Sequence, residues 1–147
     1  MASLPMPSCD AASNTAPVTR KLIGTPALYA GAPYSYAAIA PPGSTVFTAG
    51  ACPIDSGGRV VAAGDIAGQT RRTLDNLLTA LEAAGCGRED VVKTTVFVAS
   101  SERADLLAAW EVVEECFGTD GPPSTLLGVS VLGYSDQLVE IEAVAAR

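Results

Sequence analysis

The sequence predicts an α+β domain, in which the strands form a mixed sheet and two helices cover one face of that sheet. Two segments with helical apolar spacing, one after Asp65 and one after Ser100, alternate with extended segments rich in β-branched residues. The length of 147 residues favours one domain that can bury a hydrophobic core without disulfides or metals.

The chain begins with a segment that is rich in Ala, Ser and Pro and shows no periodicity. We interpret residues 1–25 as a disordered or loosely attached leader and residues 26–147 as the domain. The first strong strand signal is Thr45–Ala49, which ends at Gly50. A turn at Asp55–Gly58 and the short apolar segment after it predict a hairpin-like return.

The first helix is predicted to begin at Asp65, because an N-cap carboxylate can accept hydrogen bonds from the first free amides. Gly85 is placed to end it, since glycine readily adopts the left-handed conformation found just after helices. The stripe between them has helical spacing and consists of Ile66, Thr70, Leu74, Leu77, Leu78 and Leu81. Val91–Val98 is the clearest strand signal, and its β-branched residues indicate a central position in the sheet.

The second helix is predicted to begin at Ser100 or Ser101. Its apolar stripe consists of Leu106, Trp110, Val113 and Phe117. A bulky apolar residue with that spacing is typical of a helix face packed on a core.

A Gly-Pro-Pro sequence at 121–123 breaks this helix, and an aliphatic segment follows directly. A strand that starts after such a break holds its first residues, here Ser124 and Thr125, at one end of a sheet, where pockets form. The last strand signal is Leu138–Ala145, in which Glu140 alternates with apolar neighbours.

Charge and composition exclude several classes of protein. A net charge of −7 and a pI near 4.4 disfavour nucleic acid and anionic membranes as partners, because a negative field repels phosphates. The mean hydropathy of +0.30 is high for a soluble monomer, and it favours apolar surface covered by a partner subunit. The chain opens without a signal-peptide pattern, so we expect a cytoplasmic protein.

The absence of histidine limits the chemistry further. It excludes a His-based triad and a zinc site with Cys and His ligands. The four cysteines form no CxxC pair and lie far apart, so neither a metal site nor a disulfide framework is expected.

Several segments of the chain match one family pattern, in order. They are Ala32–Ser35, Val46–Gly50, Asp65–Thr70, Leu74–Leu77, Glu82–Gly85, Asp90–Val98 and Val139–Ala145. Together they resemble the reactive-intermediate deaminase family, also described as YjgF-like or as L-PSP endoribonucleases. The resemblance implies a chorismate-mutase-like fold and a homotrimer with clefts between subunits. Typical members hydrolyse imine or enamine intermediates to keto acids and ammonia without a cofactor.

The resemblance also implies roles for individual residues. Glu140 is expected to hold the attacking water, and Tyr34 is expected to line the cleft. The predicted substrate-binding residues are Gly50, Ala51, Cys52, Trp110, Ser124, Thr125 and Leu126. Where typical members carry a Pro-x-Arg-Ser/Thr motif this chain has Pro122–Thr125, so Ser124 replaces the arginine that binds the substrate carboxylate.

The missing arginine matters because a neutral hydroxyl cannot replace a guanidinium against a carboxylate. A carboxylate substrate would need another cation, and Arg59 and Arg103 are candidates because positive charge is scarce. Structural interpretations also stay open. Trp110 fits a core position, and the Cys52 thiol, with no basic neighbour in sequence, fits an unreactive one.

Three functions remain possible at this point. The leading one is a small-molecule enzyme that hydrolyses an imine or enamine, acting on an atypical substrate. The second is a different step on the same scaffold, namely tautomerisation, cyclisation or hydrolysis of a neutral or aromatic intermediate. The third is a non-catalytic trimer that binds ligands. RNA cleavage ranks last, because of the negative charge and the absence of histidine.

Overall fold

The computed structural model of this protein describes residues 20–23, 37–40 and 42–147. Its elements, in chain order, are β1 (Lys21–Ile23), β2 (Ala37–Ile39), β3 (Thr45–Phe47), α1 (Ile66–Ala83), a short 3₁₀ helix (Arg88–Asp90), β4 (Val91–Val98), α2 (Arg103–Phe117), β5 (Ser124–Gly128) and β6 (Val139–Ala146). Tyr34 and most of the predicted leader lie outside the described residues. Residues 21–23, which we assigned to that leader, form β1 and pair with β2.

The main sheet has four strands in the order β3-β6-β4-β5. β6 pairs antiparallel with both β3 and β4, whereas β5 pairs parallel with β4. Parallel neighbours need a crossover connection, and α2 provides it between β4 and β5. The mixed sheet with two helices confirms the predicted α+β class, and β4 lies inside the sheet as its β-branched sequence indicated.

Both helices pack on the same face of this sheet. The buried residues of β4 and β6 alternate along each strand, as they must when one face is covered. With buried residues of both helices they form one hydrophobic cluster, which includes Leu74, Leu77, Leu81, Val96, Val98, Ala109, Val113, Val139, Ile141 and Ala143. The residues between them in sequence point to the other sheet face. We call it the open face, and it carries Phe47, Lys93, Thr95, Phe97, Thr125, Glu140, Glu142 and Val144.

Helix α1 is bounded by the two residues that the sequence predicted, Asp65 before it and Gly85 after it. Asp65 is the N-cap, and its carboxylate accepts a hydrogen bond of 2.9 Å from the amide of Gly68. Gly85 has a φ of +74°, and its amide donates to the carbonyl of Glu82 while the amide of Cys86 donates to that of Leu81. This pair of bonds is the Schellman arrangement that glycine favours.

The start of α2 differs from the prediction. The helix begins at Arg103 with Glu102 as N-cap, not at Ser100 or Ser101. The Ser100 hydroxyl accepts a hydrogen bond of 3.0 Å from the amide of Glu102 and donates one of 2.6 Å to Asp105. Those side-chain bonds stabilise a loop before the helix, so α2 begins later in the sequence, at Arg103.

No helix in the described part of the chain is both long and apolar enough to span a membrane.

Candidate active site

The segment after β3 is held beside β6 by a backbone bridge. The amide of Ala51 donates to the carbonyl of Ile141 at 2.8 Å, and the amide of Ile141 donates back at 3.1 Å. Because side chains alternate along paired strands, Gly50 and Cys52 lie on the same face as Glu140. The structure therefore brings together four predicted site residues, Glu140, Gly50, Ala51 and Cys52.

The Glu140 carboxylate is fixed through one of its two oxygens. Its Oε2 accepts a hydrogen bond of 3.0 Å from Nε2 of Gln137, and the thiol of Cys52 lies 3.6 Å from the same oxygen. Oε1 accepts no hydrogen bond from any residue that the structure describes. The side chain is half-buried, and its carboxylate combines an orientation fixed by Gln137 with one acceptor that no described residue occupies. Such an oxygen can accept a hydrogen bond from a water molecule and take up its proton.

Gln137 is a site residue that the sequence analysis missed. It is only 4% exposed, and its Oε1 accepts a hydrogen bond of 3.0 Å from the amide of Tyr134. Its Nε2 also lies 3.2 Å from the carbonyl of Val139, so both ends of the amide are bonded. A buried amide that is bonded at both ends keeps a single orientation. Gln137 therefore determines where the Glu140 carboxylate points.

A second buried amide supports the turn that presents Gln137. Gln69 of α1 is completely buried, and its Oε1 accepts a hydrogen bond of 2.7 Å from the amide of Leu138. Its Nε2 donates to the carbonyl of Asp136 at 2.8 Å. The φ of Asp136 is +63°, a conformation that Asp tolerates better than most residues. The turn before β6 is thus tied to the helix layer.

Cys52 is a hydrogen-bond donor at this site and not an activated nucleophile. Burial and the negative charge of Glu140 both raise the pKa of its thiol, with burial as the larger cause. The thiol therefore stays protonated near neutral pH, and two acceptors lie 3.6 Å from its Sγ, namely Oε2 of Glu140 and the carbonyl of Gly50.

A cavity of about 580 Å³ opens beside this group, between the 49–56 segment and α1. Its volume falls in the range of small-molecule sites. The lining residues are Ala49, Gly50, Ala51, Cys52, Ile54, Asp55, Ser56, Arg72, Asn76, Thr79, Ala80, Ala83 and Tyr134. Glu140 itself is not among them, but it contacts Gly50 and Cys52, which are.

Two polar residues of α1 hold the cavity wall in place. Nδ2 of Asn76 donates to the carbonyls of Cys52 and Ile54, at 2.8 and 2.9 Å. Nε of Arg72 donates to the carbonyl of Ile54 at 3.0 Å. Neither residue was predicted as part of the site. The two cations that the sequence suggested are not among the residues that line this cavity. Arg59 is 83% exposed and paired with Asp55, and Arg103 is exposed at the start of α2.

The remaining predicted residues lie elsewhere in the protomer. Ser124 is on the helix-covered side of β5, where its Oγ accepts a hydrogen bond of 2.8 Å from Thr94. Trp110 packs against the core and borders a space of only about 10 Å³ beside Ser124. Leu126 packs against the same core, whereas Thr125 is on the open face and accepts a hydrogen bond of 2.6 Å from Lys93.

The sheet register separates Ser124 from Glu140. Ser124 pairs with Thr94 of β4, whereas Glu140 pairs with Phe97, further along the same strand. Ser124 and Glu140 also point to opposite sheet faces, so one protomer does not place them in one pocket. Within the described ranges, no group of three or more His, Cys, Asp or Glu side chains is arranged to hold a metal ion.

Comparison with known proteins gives the family. A family profile described as "Endoribonuclease L-PSP" matches residues 24–147. The chain belongs to this family. A "RutC family protein" of Pyrococcus horikoshii is 42% identical over 115 residues, which cover 78% of this chain and 87% of the relative. A "2-iminobutanoate/2-iminopropanoate deaminase" of Salmonella typhimurium is 37% identical over 106 residues, covering 71% of this chain and 81% of that enzyme.

Solved structures of the family show the same fold. YyfB from Yersinia pestis, described as a Rid family protein of unknown function, has a TM-score of 0.80 at 30% identity, covering 88% of this chain and 99% of YyfB. TdcF from E. coli, solved with bound serine, has a TM-score of 0.63 at 32% identity, covering 73% of this chain and 84% of TdcF. The names within the L-PSP family differ, so the family alone does not assign one activity.

Proposed function

We propose that this protein is a hydrolase that adds water to the C=N bond of a small imine and releases ammonia and a carbonyl product. The observation that carries this proposal is the Glu140 carboxylate, which is fixed at Oε2 by Gln137, while its Oε1 accepts no hydrogen bond from the described residues. The name of the Salmonella relative, a 2-iminobutanoate/2-iminopropanoate deaminase, supports the same class of reaction.

The chemistry needs a group that moves protons and no redox partner. Protonation of an enamine on carbon gives an iminium ion. Glu140 then accepts a proton from water as the water oxygen forms a bond to the iminium carbon, which gives a neutral carbinolamine. The same carboxyl group returns that proton to nitrogen. As the C–N bond breaks and ammonia leaves, the Glu140 carboxylate takes the hydroxyl proton and the C=O bond forms. The reaction is a hydrolysis without a redox step, so it needs no cofactor.

We further propose that the protein works as a cytoplasmic homotrimer. Exposed apolar residues on the sheet support self-association, since Phe47 is 75% and Leu127 is 41% exposed. Light scattering should then give a mass of about three times the 14.9 kDa chain.

RNA cleavage and an aromatic substrate have weaker support. The chain has a net charge of −7 and no histidine, which disfavours binding and cleaving a phosphate backbone. The space of about 10 Å³ beside Trp110 is too small for an aromatic ligand within one protomer.

The test is the release of keto acid and ammonia after 2-aminoacrylate is generated in the assay by a lyase. We expect keto acid and ammonia to be released faster than in the spontaneous reaction, at a rate that increases in proportion to the protein concentration. A neutral imine without a carboxylate serves as the comparison substrate. Acceleration of the neutral imine alone would favour the second function, and a rate equal to the spontaneous one for both substrates would contradict the proposed hydrolase.

A further inference from the structure

Arg72 is a cation in the cavity wall whose hydrogen-bonding capacity is mostly unused. A guanidinium has five N–H donors, and within the described part of the chain only Nε of Arg72 is engaged, to the carbonyl of Ile54 at 3.0 Å. Its two terminal NH₂ groups make no hydrogen bond to any residue in the described ranges. The side chain is half-buried and lines the cavity of about 580 Å³. The Nε bond holds the guanidinium plane while its terminal donors are left for a ligand.

The charge of Arg72 is also uncompensated. Among the described residues the one ion pair joins Arg59 to Asp55, at 3.0 Å. Asp55 is the acidic residue in the cavity wall, and it also accepts hydrogen bonds from the amides of Gly57 and Arg59 at 2.8 and 3.0 Å. These bonds, with the Arg59 charge, lower the pKa of Asp55 and occupy its oxygens. Among the described residues, Arg72 is therefore a positive charge without a carboxylate partner, in a chain of net charge −7.

The rest of the cavity wall fits a small ligand with one charged end. Besides Arg72, α1 contributes Asn76, Thr79, Ala80 and Ala83, which lie on one side of the helix by their spacing. These residues are neutral, so among the described lining residues Arg72 is the partner for an anionic group. A guanidinium binds a carboxylate through two parallel hydrogen bonds, a geometry that a hydroxyl cannot provide.

The cavity and the Glu140 carboxylate share two residues. Gly50 lines the cavity and lies against Glu140, and Cys52 lines it with its Sγ 3.6 Å from Oε2 of Glu140. We infer that this cavity binds a small carboxylic acid by its carboxylate at Arg72, with the remainder of the molecule directed toward Glu140. Arg72 thereby supplies the cation that the chain lacks at Ser124. This inference rests on the proposed function for the role of Glu140, but the binding step is independent of catalysis.

The test measures binding and not turnover. The probe is 2-oxobutanoate, titrated calorimetrically, with 2-butanone as a neutral analogue of the same carbon skeleton. We expect saturable binding of the acid and none of the ketone. Arg72→Gln should weaken binding about tenfold or more, because charge-assisted hydrogen bonds are lost, and Arg72→Lys should restore part of the affinity. Arg71→Gln is the matched control, since Arg71 is the exposed neighbour on the same helix and should bind within about twofold of wild type.

A measurement on the wild type makes the result independent of how the variants fold. In a ¹⁵N-resolved NMR titration, the Nε–H signal of Arg72 should shift with saturation while that of Arg71 stays constant. The inference is overturned if the acid shows no saturable binding, if 2-butanone binds equally well, or if the Arg72 signal does not respond. It is also overturned if Arg72→Gln binds like wild type.

The outcomes separate this inference from the proposed function. If 2-oxobutanoate binds through Arg72 but 2-aminoacrylate is not deaminated, the binding site at Arg72 is supported and the proposed hydrolase activity is contradicted. If the wild type deaminates 2-aminoacrylate and Arg72→Gln does so at the same kcat/KM, the hydrolase activity is supported and the binding site at Arg72 is contradicted.

Discussion

Gly50 and Glu140 are packed so closely that no side chain fits at position 50. A Cβ atom on Gly50 would lie 2.6 Å from Cδ and 2.8 Å from Cγ of Glu140, and closer still to Oε1. Real Cβ contacts are not found at such distances, so any other residue would displace the carboxylate. The need for glycine here comes from the neighbouring side chain and not from backbone conformation, since Gly50 is not among the glycines with positive φ.

Gly50→Ala should therefore reduce activity more than stability. The displaced carboxylate would no longer face its substrate, and we expect kcat/KM to fall about tenfold or more, because small displacements of a catalytic group are costly. Gly133→Ala is the control, since the nearest atom to its Cβ would be 4.0 Å away, which is an ordinary contact. Steady-state kinetics and thermal melting measure both effects. Equal activity of Gly50→Ala and wild type would contradict the placement of Glu140.

Replacement of Gln137 should change the pH dependence of the reaction. Nε2 of Gln137 is 3.0 Å from Oε2 of Glu140, so Gln137→Glu would place two carboxyl groups in contact. Like charges disfavour ionisation, which raises the apparent pKa of the pair and should move the acidic limb of the pH–rate profile up by about one unit or more.

Gln137→Met separates this charge effect from loss of the hydrogen bond. Met fills a similar volume without a charge, so it should lower kcat and move the acidic limb of the pH–rate profile less than Gln137→Glu does, because it removes one hydrogen bond from the carboxylate and adds no like charge. It should also cost about 1–3 kcal/mol of unfolding free energy, because the amide of Tyr134 loses its acceptor. An unshifted profile in Gln137→Glu would show that Gln137 does not act through Glu140.

The thiol of Cys52 should become more reactive when Glu140 is neutralised. The Glu140 charge contributes, after burial, to the raised pKa of Cys52. Glu140→Gln removes that charge, so the pKa falls, the thiolate fraction at pH 8 increases, and alkylation by iodoacetamide becomes faster. Peptide-resolved mass spectrometry measures the rate, and Cys116 provides the internal reference because its pKa is not affected by Glu140. Slower or unchanged alkylation of Cys52 would contradict the contact.

The core under the site should be sensitive to truncation at Leu77. This side chain of α1 is completely buried in the cluster between the helices and the sheet. Leu77→Ala should lower the unfolding free energy by about 2–5 kcal/mol, because it removes apolar contacts and leaves a cavity. Leu107 of α2 is 60% exposed, so Leu107→Ala should change it by no more than about 0.5 kcal/mol. Denaturant titrations compare the two, and equal losses would contradict this location of the core.

Local sequence signals predicted the framework well, because each reports a local requirement. Asp65 and Gly85 mark the ends of α1 since free amides and a left-handed turn need those residue types. The β-branched sequence of Val91–Val98 fits a strand that has neighbours on both sides. Ser100 misled the prediction for α2 because its hydroxyl stabilises the preceding loop instead of capping the helix.

The site was less predictable, because its key contacts join distant parts of the chain. Gln137 and Arg72 look like ordinary polar residues of a turn and a helix, and only the fold brings them to Glu140 and to the cavity. The polar Gln137 just before an apolar strand was the one available signal, and it was weak. Ser124 and Thr125 are consecutive in a strand, so alternation alone places them on opposite sheet faces.

The most direct test of the central claim, that Glu140 directs water to an imine carbon, compares two neighbouring acids of β6. Glu140→Gln should lower kcat/KM for 2-aminoacrylate deamination by about 10²–10⁴-fold, because the amide cannot accept the proton from water. Glu142→Gln, an exposed position on the same strand, should stay within about twofold of wild type. Full activity in Glu140→Gln, or an equal loss in both variants, would contradict the account.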